Sequence, residues 1–472
     1  MSKHHYYLTT TLPYVNADPH IGFALEIVEA DVIARYQRML GKEVVFNTGT
    51  DEHGQKIYRK AQELKTEPQH YVDQAAEKFK ELKSQLNLSF THFTRTTNPD
   101  HIKAAQQFWQ LAQESGDIYL ADYPVKYCVG CELAKTDSEL VDGRCPLHPD
   151  QELEIRQEEN YFFRFSQYQQ PLLDLYQNNP EFVKPAGKHK EITSFVEQGL
   201  KDFSISRLKQ KMPWGIPVPN DDKHVMYVWF DALVNYISAL GWPNDLDQYK
   251  QYWPGVQLAG KDNLRQQAAM WQAMLMSAQL PNSEQILING FINVAGQKMS
   301  KSLGNAISPK DMTDRYGIEA ARFLLISLGV FSGDMDVTWD KFDQKYTAEL
   351  ANGIGNLCSR VAKMAAGVDL EFTTGELPEL SEEFKELMNH YQLTAALDWV
   401  SNLTSLTDQY LSKTKPWEQS GQEKVEVLTA AIRRIITIST HLQPFMPDTA
   451  KKIGQHFTGK IEPIAPLFPR VN

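Results

Sequence analysis

The run Gln285-Ile286-Leu287-Ile288-Asn289-Gly290-Phe291-Ile292-Asn293-Val294 constrains the fold more than any other stretch of this chain. It reads as a buried strand, of the sort found in open α/β sheets. Directly beyond it stands Gly296-Gln297-Lys298-Met299-Ser300-Lys301-Ser302-Leu303-Gly304-Asn305, expected as a loop at the strand's carboxyl end. Open α/β sheets hold their ligands at that edge. Lys298 and Lys301, on a glycine-containing loop, suit a polyphosphate whose charge moves during phosphoryl chemistry. Two lysines so spaced also describe an ordinary solvated loop. Their meaning depends on whether the rest of the chain builds a nucleotide site.

At 472 residues the chain is expected to form about two to four domains. A formal charge of −11 argues against a protein that coats nucleic acid indiscriminately, while a local basic patch can still serve a specific partner. Met1 to His5 run straight into a strand-like segment, Tyr6 to Leu12, so no secretory leader is expected. No apolar run is long enough to span a bilayer. Of the four cysteines, Cys128, Cys131 and Cys145 are clustered, which suggests a metal in a reducing compartment rather than a disulfide scaffold.

After the first strand, Pro13 to Pro19 form a turn and Gly22 opens a helix through Gly41, with Ile27, Ala30, Ile33 and Ala34 at helical spacing. His20-Ile21-Gly22 therefore sits at a helix amino end, which favours phosphate, although His20 also reads as a simple cap. A second strand, Lys42 to Phe46, leads into Thr48-Gly49-Thr50-Asp51-Glu52-His53-Gly54. Asp51 can hold an ammonium group there and His53 can donate to a polar ligand; ordinary helix capping by Thr50 or Asp51 is the alternative.

Cys128-x-x-Cys131 and Cys145-x-x-His148 supply four soft or borderline ligands, and tetrahedral zinc fits them. With four protein ligands the ion is structural; unligated loop cysteines are the alternative. His224 to Asp231 resumes a buried strand, beside which Trp229, Leu233 and Tyr236 line an apolar pocket or belong simply to the core. Asp262 follows the strand-like Val256 to Ala259, placed either for ribose hydroxyls or as a cap. From Ser308 the chain is expected to be helical with a break at Gly329 to Asp336, and residues 340–456 suggest a bundle. Asn352, Asn356 and Arg360 recur at intervals of four, hence on one face. Trp417 offers a base-stacking ring or is a buried bundle tryptophan.

Taken in order, His20-Ile21-Gly22-Phe23, Thr48 to Gly54, the Cys/His knuckle, Tyr227 to Ala232, Gly260-Lys261-Asp262, Lys298-Met299-Ser300-Lys301-Ser302 and Lys415-Pro416-Trp417 resemble the methionyl-tRNA synthetases, a class I aminoacyl-tRNA synthetase family. The resemblance covers essentially the whole chain. It implies a Rossmann-like α/β catalytic domain split by a zinc-bearing insertion and followed by an all-helical anticodon-binding domain. The implied boundaries are 1–116 and 225–305 for the catalytic halves, 117–224 for the insertion, 306–345 for a stem-contact region and 346–472 for the anticodon domain.

The reaction it implies is attack of the methionine carboxylate on the α-phosphate of ATP, then transfer of methionine to a terminal adenosine hydroxyl of tRNA. Neither step needs an enzyme nucleophile, so alignment and charge stabilisation carry the catalysis. The resemblance assigns His20, Gly22, Asp262, Lys298 and Lys301 to Mg2+-bound ATP, with His20, Lys298 and Lys301 catalytic. It assigns Leu12, Tyr14, Asp51, Trp229, Leu233, Tyr236 and Gln267 to L-methionine. Cys128, Cys131, Cys145 and His148 fall to one structural Zn2+, and Asn356, Arg360 and Trp417 to the anticodon. Initiator and elongator methionine tRNAs are the expected partners of a cytoplasmic monomer without membrane attachment. Two positions depart from the family pattern: Phe23 replaces the last histidine of His-Ile-Gly-His, and Arg265-Gln266-Gln267 replaces Arg-Phe-His.

Overall fold

The computed structural model describes residues 4–131, 133–135, 140–299, 306–331, 333–368, 370 and 378–470. Its centre is a parallel sheet of six strands, β1 (His5–Thr9), β2 (Glu43–Thr50), β3 (His92–Arg95), β4 (Val183–Lys184), β5 (Val256–Gly260) and β6 (Gln285–Asn289). They lie in the order β3-β2-β1-β5-β6-β4. Without the short edge strand β4, this is a Rossmann order that reverses between β1 and β5. A ligand crevice opens beyond the carboxyl ends of the strands at such a reversal. Leu8, Phe46, Leu258 and Leu287 are fully buried along the sheet, as expected where helices cover both faces.

Helix α1 (Ile21–Met39) departs from a simple amphipathic helix, because Glu26, Glu29, Asp31 and Gln37 are buried along with its apolar residues. It lies between the sheet and the carboxyl-terminal helices, so it has little solvated face. Asp31 meets the fully buried Arg322 at 2.8 Å. Arg322 also donates to the carbonyls of Leu86 at 2.9 Å, Phe445 at 2.8 Å and Pro444 at 3.2 Å. One guanidinium thus ties the helical region to the sheet region.

Between β3 and β5, Ile118–Cys128, Leu133–Lys135, Glu154–Phe163 and Phe203–Ser204 form a separate antiparallel sheet that carries the cysteine cluster. The carboxyl-terminal part is helical, with long helices Leu393–Thr414 and Gly421–Leu442 packed beside Asn356–Ala365. Among the described residues, no helix is long and apolar enough to cross a membrane.

The first strand ends at Thr9 rather than Leu12, and three further elements differ from expectation. The run Gln285 to Val294 is two strands, because the chain leaves the main sheet at Gly290, where a Cβ would lie 2.2 Å from the Gly333 carbonyl oxygen. Ile292–Val294 then pairs with Gln297–Lys298 and Met335–Val337 in a small sheet. The expected loop therefore begins as a hairpin, turning at Ala295 and Gly296 with φ of 51° and 76°. Second, β2 continues through Thr50, since Thr48, Gly49 and Thr50 pair with β3. Third, His224 to Asp231 is not one strand: strand Asp221–Met226 gives way to helix Val228–Leu233. A short buried apolar run lacks the periodicity that separates strand from helix.

Candidate nucleotide, amino-acid and RNA sites

The start of α1 forms one wall of the crevice. His20 caps the helix in an extended conformation, and its Nδ1 accepts from the Gly22 N–H at 3.1 Å. A neutral ring in this arrangement carries its proton on Nε2. A Cβ on Gly22 would lie 2.9 Å from His20 Cε1, so the cap and the glycine require one another. The lysine segment comes back to this point from both ends. Met299 Cε is 3.7 Å from the position a Gly22 Cβ would take, and the Ile21 N–H donates to the Ile307 carbonyl at 3.0 Å. The backbone of Lys298 pairs with Asn293 in the hairpin. Lys301 and the Lys298 side chain lie outside the described residues.

Behind this wall are two buried acids. Glu26 accepts from the backbone N–H and hydroxyl of Thr11, both at 2.7 Å. Burial raises its pKa to about 8, against the lowering effect of the Thr11 donors, and the charge of Asp262 adds to the rise. Glu29 accepts from the Asn289 amide, whose oxygen receives the Phe331 N–H at 3.1 Å. Burial pushes Glu29 far above the usual carboxyl range too. Asp262 sits exposed in the turn Lys261–Asn263, while Lys261 pairs with Asp334 at 2.6 Å.

Beyond the carboxyl ends of β1 and β2, Tyr14 and Asp51 form a parallel bridge, with Asp51 N–H on the Pro13 carbonyl at 3.0 Å and Val15 N–H on the Asp51 carbonyl at 3.2 Å. Leu12 and Tyr14 are half-buried and Asp51 is buried. Leu233 and Tyr236 are buried; Trp229 is half-buried. The Tyr236 hydroxyl accepts from Gln267 Nε2 at 2.5 Å, and Tyr7 donates to the Tyr236 carbonyl at 2.8 Å. Burial raises the Tyr236 phenol pKa, and the charges of Glu26 and Asp51 add to that rise, so the three lie within electrostatic reach of one another.

His53 does not stand as an independent donor. Its Nδ1 donates to Asp231 at 2.7 Å, and His101 Nε2 donates to the other Asp231 oxygen at 2.8 Å. Asp231 is fully buried; burial would raise its pKa, but His53 and His101 hold it below the usual value. This relay fixes the end of β2 against helices Val228–Leu233 and Pro99–Glu114.

The four knuckle residues converge. The ligand atoms of Cys128, Cys131, Cys145 and His148 all lie within 4.8 Å of one another. Cys131 Sγ is 3.3 Å from both Cys145 Sγ and His148 Nδ1. Tetrahedral coordination with metal–sulfur bonds of about 2.3 Å spaces sulfurs about 3.8 Å apart, close to this arrangement. The donor set and the burial of Cys128 and Cys145 fit a metal site.

On the helical region, Asn352 and Asn356 are exposed and Arg360 is partly exposed. A π-helical segment, Tyr346–Gly355, precedes the α-helix at Asn356, so regular spacing by four does not hold across their junction. Trp417 is 50% exposed rather than buried in the bundle, and the Arg360 guanidinium lies 5.9 Å from its ring centroid.

The family model described as tRNA synthetases class I (M) matches residues 6–153 and 147–362. The methionine–tRNA ligase of Synechocystis is 40% identical over 95% of this chain and 88% of its own length. That of Thermotoga maritima is 37% identical over 97% of this chain and 76% of its own length. The fold matches Mycobacterium tuberculosis methionyl-tRNA synthetase in complex with methionyl-adenylate at a TM-score of 0.90 and 32% identity, over 98% of this chain and 99% of that one. The chain belongs to the methionyl-tRNA synthetases.

Within a methionyl-tRNA synthetase, Phe23 is a packing residue here: it is buried and meets Phe79 edge to face at 5.6 Å. Gln267 keeps a polar contact with Tyr236 through a neutral amide. Sequence reasoning missed Glu26, Glu29 and the Asp231–His101 pair as site-supporting residues. Two glutamates interrupting the apolar first half of the helix, Ile21 to Ala30, were a usable signal for the first two. No local signal joins His101 to Asp231, which are brought together only by folding.

Proposed function

We propose that the crevice between the start of α1 and the lysine hairpin is the ATP half of an adenylate-forming site. The chain is an ATP-dependent methionine–tRNA ligase: it activates methionine as methionyl-adenylate with release of pyrophosphate, then transfers methionine to the terminal adenosine of its tRNA. The observation that carries the residue assignment is the return of both flanks of the lysine segment to the His20-capped helix end. His20 and the positive amino end of α1 serve the phosphates from one side, and Lys298 and Lys301 from the other. Gly22 keeps the helix end accessible to ATP, and Asp262 receives ribose hydroxyls.

Asp51 receives the methionine ammonium. Leu12, Tyr14, Trp229, Leu233 and Tyr236 enclose the thioether, and Gln267 orients the Tyr236 hydroxyl. Magnesium, held by the ATP phosphates, supplies charge neutralisation in the reaction. The Cys128, Cys131, Cys145 and His148 cluster holds structural zinc, and Asn356, Arg360 and Trp417 read the anticodon. The catalytic halves are 1–116 and 225–305, with insertion 117–224, whose strand β4 returns to pair with β6 in the central sheet, stem contact 306–345 and anticodon domain 346–472. A cytoplasmic monomer that charges initiator and elongator methionine tRNAs completes the proposal.

Lys298→Ala and Lys301→Ala should each slow adenylate formation by roughly 100-fold while methionine binding is retained. Unchanged rates in both variants would remove the lysines from the mechanism. Metal analysis should find about one zinc per chain; none in an intact, reduced sample would remove the zinc assignment.

A further inference from the structure

The RNA-facing surface contains an acid that its assigned readers do not include. Asp408, on helix Leu393–Thr414, accepts from Arg360 Nη1 of helix Asn356–Ala365. Their side chains are 46% and 33% exposed, so the pair lies at the surface. An exposed ion pair adds little to stability, too little to explain a carboxylate on a surface read as receiving a polyanion. Its effect on geometry is larger. Asp408 fixes the end of a long, rotamer-rich side chain beside the half-exposed ring of Trp417.

Among the described residues, Asp408 Oδ2 has no hydrogen-bond partner. Arg360 can only donate and an ionised Asp408 can only accept, so together they present a donor next to an acceptor at the edge of a stacking surface. That arrangement complements a base with an amino donor beside a ring acceptor. Cytosine and adenine both have such an edge. We propose that Asp408 is a specificity-determining residue for the RNA, holding Arg360 in place and accepting from the amino group of an unpaired cytosine or adenine stacked on Trp417. The inference rests on the reading of Arg360 and Trp417 as RNA contacts. A carboxylate here also disfavours close approach of a phosphate, which turns the patch toward a base edge rather than the backbone.

The test is aminoacylation by the full-length chain of methionine tRNA transcripts, unmodified or with uracil replacing an anticodon cytosine or an amino-free purine replacing an anticodon adenine. Methionine-dependent pyrophosphate exchange, which uses no RNA, serves as the internal control. Asp408→Ala should raise the tRNA KM about ten-fold with kcat little changed, because it both frees Arg360 and removes the acceptor. Asp408→Asn still accepts from Arg360 but presents an amide N–H₂ to the base. It should keep a near-normal KM and lower discrimination against one amino-free transcript by about ten-fold. If Arg360→Ala and Trp417→Ala raise KM while both Asp408 variants retain KM and discrimination, the proposal fails and the RNA surface stands. If Arg360→Ala and Trp417→Ala are also without effect, the RNA-surface reading fails and takes the proposal with it.

Discussion

The crevice and the helical surface proposed to meet RNA use polar residues in opposite ways. At the crevice, Asp231, Glu26 and Glu29 are buried, and each accepts from named donors within folded elements. On the helical region, Arg360, Asp408 and Trp417 remain partly open to solvent. A small substrate must meet donors and acceptors already aimed in a low-dielectric space, because reorganising them during reaction would lose their stabilisation. An unpaired RNA loop brings its own rings and edges and can adjust as it docks. The difference teaches where a mutation should register: in folding and chemistry at the crevice, in RNA affinity at the bundle.

The largest test of that contrast is Asp231→Ala. It leaves two buried imidazoles without their common acceptor and should lower unfolding free energy by about 3–5 kcal/mol, read from denaturant titration. A loss comparable to that of a surface substitution would make the relay dispensable and erase the contrast.

Glu26 offers a more moderate, pH-dependent test. Its folded pKa of about 8 stands above the ordinary glutamate value of 4.5, so the folded state retains a proton that the unfolded state has released between those values. This contribution makes wild-type stability fall as pH rises through that window, then level off. Glu26→Gln should therefore gain stability relative to wild type from about pH 5 to about pH 8. A pH-independent difference would mean that the carboxyl is ionised in the folded chain throughout.

The smallest stability effect should come from Trp417→Ala, within about 0.5 kcal/mol, because half of that ring is already exposed. The same variant should impair tRNA charging while largely sparing pyrophosphate exchange. Equal loss in both assays would move Trp417 from RNA contact to domain packing.

Much of this was legible in the chain. The α/β class followed from buried runs such as Ile286 to Ile288, and the knuckle from the spacing of Cys128, Cys131, Cys145 and His148. His20 and Gly22 were legible as a helix start because capping and backbone approach are local properties. The breaks at Gly290 and Tyr227 were less so. Which backbone presses on Gly290, and whether Val228 to Leu233 coils, depend on segments distant in sequence.

The site divides along the same line. Phe23 announced a departure by its identity alone, but its packing on Phe79 required helix Pro68–Lys80 to lie across α1. His53 was visible as a polar residue at a strand end, yet Asp231 and His101 determine what it does, and they lie 178 and 130 positions apart in the two contacts that define the relay.

By itself, the sequence determined the α/β class, the candidate metal-ligand cluster and the family, because periodicity, ligand spacing and short motifs are written in neighbouring residues. Only the tertiary structure decided that the lysine segment returns at both ends to the His20-capped helix, and that Asp408 holds Arg360 beside Trp417. Those contacts join residues remote along the chain, and packing of whole helices and strands, rather than local propensity, sets which remote residues meet.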